Sequence, residues 1–241
     1  MSDWRARIGF LVPSVTPTVE IEMVELAPKG VSVHFSRMKS SRTMGAFEPF
    51  EVRARSHLEH LDETVELLAG VKPDVIVLAH TATSYVLGKE GEEKLTREIT
   101  QRTGIPFISA LGSVIEALGA LGARKVAVGT PYEEDLTVMG KRTVESYGLE
   151  VVNVQRLLDV KSIFEETPKR VYGLMRKADR PEAQALFISG VGLPTLEVLQ
   201  ALEDDIGKPV ISSASAMMWN ALRVIGVGAK VTGYGRLLRE H

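Results

Sequence analysis

Short apolar runs alternate along the chain with longer stretches whose apolar positions recur near helical spacing, the pattern of a parallel sheet covered by helices. Residues 8–12 and 31–35 read as strands, and a polar loop rich in Ser, Arg and Gly follows over 36–47. From Glu51 to Leu68 the positions Leu58, Leu61, Val65 and Leu68 keep helical spacing, and Gly70 closes the helix. Residues 74–78 are nearly continuous in apolar character, as a strand buried on both faces requires. Further helices are expected over 91–102, 114–121, 133–147, 168–177, 195–205 and 216–224, with strands between them around Val126, Val151, Leu186 and Val210.

Part of this pattern occurs twice. The strand Ile8-Gly-Phe-Leu-Val-Pro13-Ser14 returns as Val126-Ala-Val-Gly-Thr-Pro131-Tyr132. Val75-Ile-Val-Leu-Ala-His80-Thr81 returns as Ala185-Leu-Phe-Ile-Ser189-Gly190-Val191, and Gly104-Ile-Pro106-Phe-Ile-Ser109 as Gly207-Lys-Pro209-Val-Ile-Ser212. Matched strand ends in the same order imply a duplication. The expected fold is α/β, with two pseudo-symmetric lobes, each a parallel sheet flanked by helices. Lobe 1 takes residues 1–117 plus a returning segment 222–241, and lobe 2 takes 118–221. Loops at equivalent strand ends then face one another, and the cleft between them is where a small ligand binds.

Composition removes several function classes. The 241 residues carry a formal charge of -2 with both signs mixed along the chain, which excludes the basic stripe of a nucleic-acid binder. No apolar run approaches the roughly 18 residues needed to span a membrane. Residues 1–7 lack the apolar segment of a secretory signal, so a cytoplasmic protein is expected. Oligomeric state is not legible, although a homo-oligomer with symmetric dimer geometry is the commonest arrangement for proteins of this size. The chain has no cysteine, which excludes disulfides and thiolate chemistry within it.

The chemistry-bearing residues cluster after the paired strands. Pro13-Ser14-Val15-Thr16-Pro17-Thr18, His80-Thr81-Ala82-Thr83-Ser84, Thr130-Pro131-Tyr132 and Ser189-Gly190-Val191-Gly192-Leu193-Pro194-Thr195 are rich in hydroxyls and glycines. Such loops offer neutral donors to a carboxylate or an oxyanion, although Ser and Thr at these places also serve as N-caps. His80 has the chemistry of an acid or base near neutral pH, and equally that of a structural histidine or an anion contact. His57 and His60 lie three apart on an expected helix; without a third ligand at matching spacing they read as a solvated face, and no metal is expected. The glycines at 119 and 122 follow a helix, whereas a dinucleotide loop needs strand, loop and then helix, so no cofactor is expected.

Three segments together carry a family resemblance. Pro13-Ser14-Val15-Thr16-Pro17-Thr18-Val19-Glu20, Ser189-Gly-Val-Gly-Leu-Pro-Thr-Leu196 and Gly233-Tyr234-Gly235-Arg236-Leu237 are similar to the aspartate/glutamate racemase superfamily, in the branch of arylmalonate decarboxylase and maleate cis–trans isomerase. The isomerases usually carry Asn where this chain has Thr16. The family places one cysteine in each lobe, and those positions fall on His80 and Gly190, so both thiols are absent. The resemblance implies an oxyanion pocket made by Thr81, Tyr132 and the N–H groups of Val191 and Gly192. Ala82 replaces a serine donor of that set, and Pro13, Ser14 and Thr16 complete the substrate loop.

The preferred reading is therefore a cofactor-independent lyase that decarboxylates a substituted malonate or related small diacid, with His80 or water delivering the proton. An isomerase or racemase of a small dicarboxylate, with His80 in place of one thiol, is the alternative. A non-catalytic carboxylate binder or a hydrolase is a third.

Overall fold

A computed structural model describes residues 5–40 and 50–241. Strands β1 (Ala6–Pro13), β2 (Val31–Met38), β3 (Val75–Leu78) and β4 (Phe107–Ser109) form one parallel sheet in the order β2-β1-β3-β4. Strands β5 (Lys125–Thr130), β6 (Glu150–Arg156), β7 (Ala185–Ile188) and β8 (Val210–Ser212) repeat it as β6-β5-β7-β8. The duplication extends to single backbone bonds. Ala79 N–H reaches Leu11 O at 2.9 Å and Ser189 N–H reaches Gly129 O at 2.8 Å, one ladder step beyond β3 and β7. Ile76 and Leu186 donate to Pro106 and Pro209, each at 2.9 Å.

The first half interleaves α1 (Thr18–Leu26), α2 (Phe50–Glu59), α3 (Leu61–Ala69), α4 (Thr81–Thr103) and α5 (Ala110–Ala120) with its strands. The second half adds α6 (Glu134–Ser146), a 3-10 turn at Ile163–Glu165, α7 (Pro168–Ala178), α8 (Leu196–Ile206), α9 (Ser213–Val224) and a last short helix, α10 (Arg236–Glu240). Helices α5 and α9 follow the equivalent strands β4 and β8, start from serine caps at Ser109 and Ser212, and pack on each other across the halves. Asn220 Nδ2 donates to Ser113 Oγ at 3.2 Å within that contact. Both cuts drawn from the sequence, at 117/118 and 221/222, fall inside α5 and α9, so the chain passes between the halves without an extended linker.

Several boundaries differ from those expected. The segment 18–26 forms α1, whose apolar and acidic positions are too mixed to read as a helix from the sequence. β2 continues through Met38 into the start of the polar loop, and residues 41–47 of that loop lie outside the described residues. The expected helix over 51–68 is two helices broken at His60. The largest shift is at α4, which begins at Thr81 and kinks at Gly88 (φ 65°, ψ 176°) rather than beginning at Gly91. The kink lets Glu92 turn back onto Ser84, which donates to its carboxylate at 2.5 Å; Ser109 and Tyr147 donate to the same group. Among the described residues no helix is long and apolar enough to cross a membrane.

Candidate active site

The carboxyl ends of β1, β3, β5 and β7 bring the four hydroxyl- and glycine-rich segments to the junction of the halves. His80 is the N-cap residue of α4, extended at φ −151° and ψ 95°, so Thr81 and Ala82 occupy the first turn rather than a loop. Their N–H groups are among the unpaired donors that every helix start leaves, and the helix dipole makes this turn favourable to negative charge. Thr81 Oγ1 shares a hydrogen bond with Ser213 Oγ at 2.9 Å, which joins the start of α4 to the start of α9. Tyr132 is buried, hydrogen-bonds Thr81 and lies edge-on to Tyr85 with ring centroids 6.0 Å apart. Burial first, and then the neighbouring Tyr85, push the Tyr132 hydroxyl well above its usual range, so it remains a donor at neutral pH. Tyr85 in turn shares a 2.7 Å bond with Ser189.

The loop 189–195 closes the other side. Gly190 and Gly192 take φ of 108° and 116°, conformations that side chains rarely adopt. A Cβ at Gly192 would come within 2.2 Å of Thr16 Cγ2, and one at Gly190 within 2.9 Å of the Pro131 ring. The loop therefore lies directly on Thr16, which is buried. Arg37 holds the Thr16 loop from outside, donating to the carbonyls of Pro13 and Ser14 at 3.3 and 3.1 Å. Within the loop, Leu193 N–H donates to Gly190 O at 3.3 Å and Val191 bridges to Leu193, so the segment turns tightly on itself. The Tyr132–Thr81–Ser213 hydroxyls lie at the start of α4, and the Tyr85–Ser189 bond ties the 189–195 loop to the same helix; neutral donors of this kind suit a carboxylate or an oxyanion.

His80 is 6% exposed, and its Nδ1 shares a 2.7 Å bond with Thr83 Oγ1. Burial, then the charges of His57 and Arg53, hold its imidazole well below the ordinary histidine value, so it is neutral at pH 7. Neutral His80 can accept a proton; it can donate one only after being charged by a ligand.

Three contributors were not anticipated from the sequence. His57 is not on a solvated face: it is 1% exposed, its ring lies edge-on to His80 at 5.2 Å between centroids, and its Nδ1 is 3.2 Å from Lys39 O. Because a carbonyl only accepts, that contact puts the proton on Nδ1 and leaves Nε2, buried and without a partner among the described residues, as the acceptor nitrogen of the neutral ring. Burial chiefly lowers its pKa as well. Arg53, one turn earlier on α2, acts electrostatically on His57, His80 and Tyr132. The third is Glu22 on α1. Its Oε1 accepts from Thr195 N at 2.7 Å, Thr195 Oγ1 at 3.0 Å and Leu196 N at 3.1 Å, which ties α1 to the start of α8 just beyond the glycine loop. Spacing gave one usable signal, since Arg53 and His57 stand four apart on one helix face. Arg236 makes no part of this site; its backbone N–H and guanidinium face Glu203. Among the described residues no group of three or more His, Asp or Glu side chains could hold a metal.

Burial drives Glu22 from 4.5 to about 7 against the pull of its three donors. A carboxyl whose pKa is raised on folding contributes stability that is full below about 4.5 and lost as the pH rises through about 7. Glu22→Gln keeps an acceptor for Thr195 and Leu196 without the ionisation. The wild-type protein is expected to lose about 1–3 kcal/mol between pH 6 and 8.5 from this group, and Glu22→Gln to lose none of it. Thermal melts across that range decide the point; parallel curves would remove Glu22 as the titrating group. Both proteins should still weaken as the pH falls through the ordinary histidine range, because His57 and His80 are neutral when folded and charge when unfolded.

A family model described as arylmalonate decarboxylase matches residues 8–238. The chain is 30% identical over 243 residues to a maleate isomerase of Nocardia farcinica, covering 97% of this chain and 96% of the relative. It is 28% identical over 253 residues to an arylmalonate decarboxylase of Bordetella bronchiseptica, covering 97% and 96%. A solved structure of a mutant Nocardia farcinica maleate cis-trans isomerase, with a covalently bound succinylcysteine intermediate, superposes with a TM-score of 0.86 at 27% identity, covering 98% of this chain and 99% of that one.

Proposed function

The chain belongs to the arylmalonate decarboxylase family, and on that premise we propose that it decarboxylates a substituted malonate or related small diacid, without a cofactor, through an enediolate. One observation supports the reading: the Tyr132–Thr81–Ser213 hydroxyls stand together at the starts of α4 and α9 in a chain that has no cysteine at all. A succinylcysteine of the kind held by the isomerase relative cannot form here. Decarboxylation needs only stabilisation of the electron pair left behind and a proton to quench it.

In this reading His80 supplies that proton. A dianionic substrate beside the imidazole raises its proton affinity, so binding takes up a proton from solvent. The bond from the α carbon to one carboxylate then breaks, carbon dioxide departs, and the electron pair passes into the remaining carboxylate. Tyr132, Thr81 and the N–H groups of Val191 and Gly192 hold the enediolate oxygens. Imidazolium His80 protonates the α carbon and returns to its neutral state. Ala82 adds no hydroxyl to this set, and the Pro13–Ser14–Thr16 loop supports the glycine loop, which packs on Thr16.

Proton NMR in deuterated buffer tests this with phenylmalonate, methylphenylmalonate, maleate, aspartate and glutamate supplied separately. Loss of one carboxylate with a single deuterium at the α carbon is the expected result. Isomerised maleate, or exchange without carbon loss, would instead make His80 the base of an isomerase- or racemase-like reaction, which its neutral state also suits. Diacid binding without any turnover would leave a carboxylate binder.

A further inference from the structure

We propose that the cavity between α4, α5 and the ends of α6 and α9 is a second ligand site, and that it takes a zwitterion, an α-amino acid with an apolar side chain. The cavity shares no lining residue with the candidate active site, and the inference does not rest on the decarboxylase reading.

The internal repeat shows what such a groove holds. Helices α4 and α8 both end on a left-handed glycine, Gly104 (φ 69°) and Gly207 (φ 77°), and lead into β4 and β8. Phe107 N–H donates to Thr100 Oγ1 at 3.1 Å, and the equivalent Val210 N–H donates to Glu203 Oε1 at 2.9 Å. Counted back from the two glycines, Arg97 stands where the second half has Gln200. In the second half the chain covers α8 and α9 with its own last segment. Gln200 Oε1 accepts from Gly235 N–H at 3.4 Å and from Arg239 Nη1 at 3.3 Å, and Glu203 accepts from Arg236 N–H at 2.8 Å. Leu237 and Leu238 of that segment are buried, and α10 packs on α9. In the first half the same groove is a cavity of about 450 Å³, a size that suits a small ligand, at a junction of the two halves.

The lining sets the ligand's chemistry. Phe107, Ile108 and Ile115 give it an apolar side. Glu92, 4% exposed, has its charge answered by the hydroxyls of Ser84, Ser109 and Tyr147, and Lys89 Nζ lies 5.1 Å from the centre of the Tyr147 ring. Glu93, Arg97 and Glu116 complete a lining that carries both signs of charge. These three make no ion pair among the described residues, although Lys94 and Glu98 on the same helix pair at 3.7 Å. Gln200 accepts N–H donors from the C-terminal segment, whereas Arg97 in the equivalent place only donates, so its partner has to bring an acceptor. A carboxylate matches the guanidinium fork. A simple carboxylic acid would still face the carboxylates of Glu93 and Glu116, and a simple amine would face Lys89 and Arg97. A ligand with one ammonium and one carboxylate answers both sets, and its apolar side chain covers Phe107 and Ile115.

Calorimetry on the full chain compares L-phenylalanine with 3-phenylpropionate, which lacks the ammonium, and 2-phenylethylamine, which lacks the carboxylate. Phenylalanine is expected to bind at least about 10-fold tighter than either. Arg97→Met and Glu116→Gln change exposed side chains, so both variants should melt as the wild type does. Each should weaken phenylalanine about 10-fold. Arg97→Met should leave phenylethylamine unweakened, and Glu116→Gln should leave phenylpropionate unweakened. Tyr132→Phe, in the candidate active site, should leave all three ligands unchanged. No binding of phenylalanine, equal affinity for the three ligands, or indifference to both rim substitutions would overturn the proposal. Weakening by Tyr132→Phe instead of by the rim substitutions would place the amino acid in the active-site cleft and overturn it as well.

Discussion

Gly192→Ala is expected to lower kcat by about 10³-fold or more and to cost roughly 2–4 kcal/mol of stability. Both effects come from one methyl group. The backbone at 192 sits at φ 116°, and the new Cβ would stand 2.2 Å from Thr16 Cγ2. The new Cβ cannot turn aside, so either the buried Thr16 has to swing its methyl away or the loop 189–195 has to lift from the Thr16 loop. The two proposed oxyanion donors, the N–H groups of Val191 and Gly192, would then leave their aim together, and one such donor alone is typically worth about 10²–10³ in kcat. Thr16→Ser provides the decisive second variant, since it deletes the methyl that collides. The double variant Gly192→Ala/Thr16→Ser should recover part of both losses, a coupling that appears when two residues share one contact. Additive effects in kcat and melting temperature would show that the two loops do not bear on each other.

The doubled fold was readable because a parallel strand buried on both faces leaves a nearly continuous apolar run, and the same strand ends occur twice with the same Pro, Gly and Ser punctuation. Where reading failed, tertiary contacts outweighed local pattern. Residues 81–90 look like a loop because Thr, Ser and Gly are poor helix formers. They form a helix because Tyr85 and Ser84 have buried partners in Ser189 and Glu92. Helix α1 was hidden by Glu22, an acid on its buried face, whose partners at Thr195 and Leu196 lie in the other half of the chain. No local window contains that pairing.

The candidate site was legible at the strand ends, whereas the burial of His57 on helix α2 was not. The repeat pointed to the strand-end loops, and the family resemblance pointed to His80, Thr81, Tyr132, Val191 and Gly192 within them. His57 and Arg53 carried only their four-residue spacing, and a polar helix face reads as solvated until something covers it. The absent thiols also look different in three dimensions. Gly190 is more than a position where a cysteine is missing: with φ at 108° and the Pro131 ring 2.9 Å from any Cβ, the loop as folded excludes a side chain there. Its backbone packs against Pro131 and Ile163 of its own half, whereas Gly192, two residues on, is the glycine that meets the other half at Thr16.

Tyr132→Phe is the cleanest measure of what the hydroxyls contribute. The substitution removes one oxygen and keeps the ring that lies against Tyr85, so the core loses a hydrogen bond worth about 0.5–1.5 kcal/mol and no packing. If the phenol donates to the developing enediolate, kcat should fall about 10²–10³-fold, far beyond what so small a change in stability could produce. The KM for the diacid should move much less, since the bond strengthens only as charge accumulates on the oxygen it faces. Thr81→Val probes the same chain from its middle: it removes the hydroxyl shared by Tyr132 and Ser213 and should lower kcat by a similar factor, with the double variant no worse than either alone. A Tyr132→Phe protein with unchanged kcat would take the phenol out of the reaction and leave the backbone amides as the oxyanion site. Equal losses in KM and in melting temperature with kcat intact would make Tyr132 a packing residue. Non-additivity in kcat alone is the signature of hydroxyls that act on one oxyanion as a unit.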